Sequence, residues 1–209
     1  MERNSSLSEA MEIFGSDLLG PIEFRKISDL FPISIPDEIP EIPFTSDFLQ
    51  NKKGTHLLVL GLSRFDGKIT NIRNLRNFFG LNAEIQEPCF YNQDWYLQES
   101  FIDEELEQAW YLLSKVVLED TRAGMPHVLE LNMNFPKAVI CTYAFFVFFL
   151  CRNQILWKHD FIWCSDLDHN GDKIYVGKYN DISGINKNGF SIHRHLSLRE
   201  CYAAIDIIY

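Results

Sequence analysis

The sequence predicts an α+β fold in a single domain, and three observations carry that prediction. The stretch from Pro136 to Arg152 is apolar almost throughout, the pattern of a core helix buried nearly all round with proline at its first position. Three strand-like runs follow, Phe161 to Asp168, Lys173 to Tyr179 and Phe190 to Leu198, and read as an antiparallel meander. Helices and strands do not alternate in the regular way that a parallel βαβ sheet requires. The expected architecture is an antiparallel sheet, the C-terminal meander included, packed on a buried helix over about 136–152.

Taken in order, Ser6 with Glu9 three residues on is a capping-box pattern that starts a short helix, ending near Gly15 or at Gly20-Pro21. The prolines at 32, 36, 40 and 43 forbid regular helix and favour an extended strap, anchored to the body by Ile33, Ile35, Ile39 and Ile42. The N-terminal helix and this strap, about residues 1–50, lie on the body of the domain. His56 to Leu62 is a near-continuous apolar run of strand length, read as an interior strand, and Asp66-Gly67 follows as a turn. Thr70 is placed to cap a helix through Phe79, with Ile72, Leu75, Phe78 and Phe79 on one face and Gly80 as its stop. Asp103 is placed to cap another helix beginning at Glu104. Beyond Trp110, WYLLSKVVLE fits a helix or a strand equally.

The chain has 209 residues and a net charge of -10, unevenly spread: residues 1–50 hold ten acids against three bases, and residues 151–209 hold seven of each. No basic stripe is present, so no nucleic-acid partner is expected. Five cysteines, Cys89, Cys141, Cys151, Cys164 and Cys201, form no C-x-x-C pair and fit free thiols in a reducing compartment. The first residues, polar and acidic, do not resemble a signal peptide, and the longest apolar run, Ala138 to Leu150, is short of the about twenty residues that span a bilayer. The expectation is an acidic, cytoplasmic protein with an unidentified protein or small-molecule partner and no membrane partner.

The segment Phe161 to Tyr179 admits two readings. Asp166, Asp168 and Asn170, with Gly171, imitate positions one, three, five and six of a calcium loop, but Gly177 stands where the bidentate glutamate should be. Alternatively Asn170-Gly171 is a two-residue type I′ turn that pairs Asp168 with Lys173, Leu167 with Ile174 and Asp166 with Tyr175. That register gives Asp166, Asp168, Lys173 and Tyr175 one face, and Trp163, Leu167, Ile174 and Val176 the core face. In the third run Ser191, His193, His195 and Ser197 share a face, while Arg194 falls among the apolar residues, placed to reach the sheet end and pair an acid or to bind substrate.

Two imidazoles two residues apart on a strand, beside Asp166 and Asp168, would suit zinc, iron or manganese, or acid–base chemistry. His193 and His195 equally fit exposed strand residues paired with carboxylates. Tyr175, Lys173 and Arg194 complete a candidate polar site on the C-terminal sheet. Cys89 has no context that would lower its pKa, and Phe90, Tyr91, Trp95 and Tyr96 suit core packing better than stacking on a base or sugar. No phosphate loop, dinucleotide fingerprint, H-E-x-x-H or nucleophile elbow occurs.

EPCFYNQDWYLQESF, together with FIWCSDLDHNGDKIYVGKY and the following NGFSIHRHLSL, resembles an uncharacterised bacterial protein family. The resemblance implies a bacterial protein and a domain spanning most of the chain, and transfers no activity and no site residue. The expected function is a soluble binding or interaction module with a polar site on the C-terminal sheet and no cofactor. The alternative is a metal-dependent hydrolase holding a divalent ion at Asp166, Asp168, His193 and His195.

Overall fold

The structure is a computed structural model and describes residues 3–179, 188–194 and 197–209. The capping box forms as expected: the Ser6 hydroxyl accepts from the Glu9 backbone N–H, and Glu9 Oε2 accepts from the Ser6 N–H at 2.7 Å, opening α1 (Leu7–Phe14). Gly15, at φ 53, closes it. β1 (Leu18–Leu19) and α2 (Pro21–Lys26) follow. The strap contains no helix, Ile42 is buried, and Ile33, Ile35 and Ile39 pack against the core. The Trp110 indole N–H donates to Pro40 O at 2.9 Å and fastens it. α3 (Ser46–Lys52) leads into β2 (His56–Leu60), all five of whose residues are buried.

β3 (Arg64–Phe65) and β4 (Lys68–Ile69) form a hairpin around Asp66-Gly67, both at positive φ as a type I′ turn demands. The Thr70 N–H donates to Ser63 O, which keeps Thr70 in that hairpin. Asn71 therefore caps α4 (Ile72–Phe79), its Oδ1 accepting from the Asn74 N–H, one residue later than the sequence suggested. No helix begins at Glu104: Ser100–Asp103 is a 3-10 turn, and the Asp103 carboxylate takes the Arg73 guanidinium at 2.6 and 2.8 Å instead of capping. Within the ambiguous WYLLSKVVLE, Trp110–Ser114 is β5, settled by its pairing with β2. After α5 (Pro126–Leu129) comes the apolar helix α6 (Ala138–Arg152). Pro136 precedes its N-cap Lys137, so it does not occupy the first helical position; its carbonyl instead accepts from the Ser165 N–H.

β6 (Phe161–Leu167), β7 (Lys173–Lys178) and β8 (Phe190–Arg194) are the predicted meander, and β9 (Tyr202–Ala203) adds to β6 in parallel. β10 (Ile207–Ile208) returns to the N-terminal half, so the two four-stranded sheets run β1-β2-β5-β10 and β8-β7-β6-β9. α6 lies between them and is buried from Ala138 to Phe148. On one side the Tyr143 hydroxyl donates to Leu60 O of β2. Toward the second sheet Phe145 meets Phe190 at 4.6 Å, and Phe146 stacks on Phe79 and Phe90 at 4.2 and 4.7 Å. Among the described residues no helix is long and apolar enough to cross a membrane.

The outer edge of β8 is covered. Its Phe190 exchanges backbone bonds with Cys89 and Tyr91, the Gln93 side chain accepts from the Ile192 N–H, and the Trp95 indole donates to Ile192 O. Gly189 makes this approach close: a Cβ there would fall 2.2 Å from the Phe90 carbonyl carbon.

Asp166 accepts the Ala138 N–H on Oδ2 at 2.6 Å and so fastens the start of α6 to β6. Burial pushes its carboxyl up while that hydrogen bond pulls it down. Asp166→Leu should cost about 1–3 kcal/mol in urea unfolding by stranding a buried donor, and Asp166→Asn, which keeps an acceptor, should cost clearly less.

Candidate functional site

The hairpin between β6 and β7 corrects the sequence reading of its register. Only Gly171, at φ 85, is left-handed, and Asn170 is not, so the turn is not type I′. The Asp168 N–H donates to Asp172 O and the Gly171 N–H to Asp168 O, which makes a three-residue loop of 169–171. The cause is the Asp168 side chain, whose Oδ1 accepts from both the Asn170 and Asp172 N–H groups. Leu167 consequently faces Lys173, Trp163 faces Tyr175, and three residues of β6 oppose one of β7 between them. Ile162, Cys164, Ile174, Val176 and Ile192 face the main core. Trp163 and Tyr175 lie on the other face with Phe135, Phe161 and Tyr202, so Trp163 does not share the Ile174 and Val176 face.

Of the four residues expected as metal ligands, the three described, Asp166, Asp168 and His193, are not gathered at one point. Asp166 serves the start of α6. Asp168 Oδ2 accepts from Arg194 Nη1 at 3.1 Å; against burial, which would raise it, the Asp172 and Asn170 N–H groups and Arg194 hold its carboxyl below the usual value. His193 lies on the opposite sheet face, stacked on Tyr175 at 5.4 Å. His195 is outside the described residues. Asp168 instead groups with Glu99 and His169, the one cluster among the described residues whose donor atoms lie within ligand reach of one another. Glu99 is spent on that loop, Oε2 on the His169 N–H at 2.9 Å and Oε1 on the His169 ring at 2.6 Å.

The candidate polar residues also separate. Lys173 Nζ reaches Glu130 Oε1 at 2.5 Å and Ser165 O. Arg194 pairs Asp168, as one of its two expected roles, and lies over the Trp95 ring at 5.1 Å. Lys173 lines a small pocket of about 260 Å³ beside Gly171 and Leu198, and Tyr175 opens onto a larger cavity. That cavity, of about 400 Å³, sits on the outer face of the second sheet. Its floor is Phe161, Tyr175 and Tyr202, its mouth carries the exposed rings of Tyr91 and Tyr179, and Asn188, Ser191, His193, Arg199 and Cys201 complete the wall.

The strand pattern builds this floor. Tyr175 and His193 pair directly across β7 and β8, and Tyr202 pairs with Phe161 across β9 and β6, so alternation sends all four rings to one side. The Tyr175 hydroxyl donates to the Tyr202 oxygen at 3.1 Å. With its Oε1 held by the Ile192 N–H, Gln93 turns its amide N–H toward His193 Nδ1 at 3.3 Å, which leaves the proton of a neutral imidazole on Nε2. Burial first, and the Arg199 charge second, keep His193 below its usual pKa. Burial raises the Cys201 thiol, so it stays protonated.

A larger cleft of about 660 Å³ runs between the N-terminal segment and the strap. Of its polar groups, Arg3 and Ser6 bond Glu9, the Ser5 hydroxyl meets that of Ser46 and the Trp110 indole donates to Pro40 O. Sequence reasoning named Tyr175 and His193 but not Tyr179, Arg199, Cys201 or Tyr202 as site residues. No known protein family, curated protein or solved structure matches the chain.

Burial also lowers the pKa of His56, which contacts Asp206 Oδ2 through Nε2 at 3.1 Å. A histidine whose pKa is lowered on folding binds its proton more weakly in the folded state. Its stabilisation is complete above the unfolded value near 6.5 and is lost as pH falls through the folded value. The melting temperature should therefore fall between about pH 7.5 and 5, and fall less steeply in a His56→Gln, His193→Gln double variant. In the loop, Gly171→Val should cost about 1–2 kcal/mol in urea unfolding through backbone strain alone, since a Cβ there meets open space.

Proposed function

We propose that this protein is a binding module that takes a small organic molecule into the aromatic cavity on the outer face of its C-terminal sheet. One observation carries the reading: aromatic rings, a neutral imidazole and a guanidinium converge on a concavity of ligand size, about 400 Å³. Binding rather than turnover is favoured by the chemistry of the wall. No carboxylate lines it among the described residues, and burial raises its one thiol, which makes it a weak nucleophile at neutral pH. We further propose a cytoplasmic setting, supported by five free cysteines.

Cys201 gives the test, because it lines the cavity and is only half-buried. A fragment library screened by thermal shift should yield compounds that raise the melting temperature and slow iodoacetamide labelling of Cys201 at alkaline pH, read by peptide mapping, without slowing that of Cys151. Stabilising fragments that leave Cys201 labelling unchanged, or no stabilising fragment at all, would overturn the reading.

A further inference from the structure

We propose that the cavity is specific for a planar aromatic monoanion, a single ring or fused ring pair bearing a carboxylate that meets Arg199. This inference rests on the reading of the cavity as a ligand site and adds the ligand's chemical class. Charge comes first: Arg199 is the only formally charged residue in the described wall. A cationic ligand would enter against that charge, whereas a carboxylate would gain a forked, two-bond partner.

The hydrogen-bonding inventory agrees with the charge. The Tyr175 hydroxyl has given its proton to the Tyr202 oxygen, so the Tyr202 hydroxyl proton is left without an acceptor among the described residues, on a side chain only 7 % exposed. His193 keeps its Nε2–H in the same position of surplus. The cavity thus presents donors from Arg199, His193 and Tyr202, beside hydroxyls and an Asn188 amide that can serve as donor or acceptor, and such a wall can take an acceptor-rich group. These donors face the open cavity and its water, which a ligand carboxylate would replace with charge-assisted hydrogen bonds.

Shape supplies the remainder. The floor rings of Phe161, Tyr175 and Tyr202 stand at steep or tilted angles to one another, Tyr175 and Tyr202 with centroids 4.4 Å apart. Tyr91 and Tyr179 stand exposed at the mouth, 43 % and 59 %, and rings left in water beside an aromatic floor gain most by covering a flat apolar ligand. A free inorganic anion would use the donors and leave these rings uncovered.

Calorimetric titration of the full chain with 4-hydroxybenzoate, 4-hydroxybenzamide, tyramine and inorganic phosphate separates the terms. The benzoate is expected to bind at least about tenfold more tightly than the amide, with no binding of tyramine or phosphate. Arg199→Gln, an exposed position, should remove the benzoate's advantage while leaving the amide's affinity unchanged. Equal affinity for benzoate and amide, phosphate binding as tight as benzoate, or a benzoate advantage that survives Arg199→Gln would each overturn the assignment. If none of the four binds while library fragments still protect Cys201, the ligand class is wrong and the cavity remains the site; if neither probe nor fragment binds, both fall.

Discussion

A helix with no polar side must be covered on every side, and α6 sets that requirement for the whole fold. From Ala138 to Phe148 each of its residues is buried, so neither sheet alone could satisfy it. The two sheets, one closed by strands from both ends of the chain, enclose it with α4 and the aromatic segment around Phe90 filling the gaps. Its first free N–H faces the same interior, and Asp166 meets it from a strand 28 positions away. The carboxylate that would otherwise be an expensive buried charge is thereby made part of the helix start.

Because β6 turns Ile162, Cys164 and Asp166 toward α6, its alternate residues are forced outward, and they are aromatic. The second sheet consequently has an apolar layer on both faces. The outer layer is covered by Phe135 and the chain near Tyr202 over part of its area, and the candidate cavity is where that cover stops. His193 and Arg199 stand at this boundary between packed rings and solvent. The location of the candidate site is thus a by-product of how the interior helix is enclosed.

Much of this was legible in the sequence. Ser6 with Glu9, the run His56 to Leu62, of which His56–Leu60 is strand, Asp66-Gly67 and the apolar block of α6 each state their structure through neighbours within a few residues. The hairpin register was not, because the Asn170-Gly171 signal competes with an Asp168 side chain that binds two N–H groups of the same loop and draws it out to three residues. One misplaced position sends every side chain of a strand to the wrong face, so Trp163 and Tyr175 were assigned to opposite sides. The cap falls at Asn71 rather than Thr70 because the Thr70 N–H closes the β3–β4 hairpin on Ser63 O, which carries the helix start one residue on. The cavity joins residues from Tyr91 to Tyr202, and no local spacing encodes a site spread over that length. Its readable signal was the alternation that puts Ser191 and His193 on one side of β8, opposite Tyr175.

The covered edge of β8 bears on how the protein behaves at high concentration. An outer strand normally advertises a row of unpaired amides to any other extended chain, and fibrils and swapped dimers begin there. Here Gln93 and Trp95 substitute side-chain amide and indole for a missing neighbour strand, while Gly189 lets the chain at Phe90 close against it. Trp95 also packs against the core, whereas Gln93 reaches only the strand edge, so loss of the Gln93 side chain would uncover a backbone N–H there with little cost to the interior, and resistance to self-association depends in part on one surface amide.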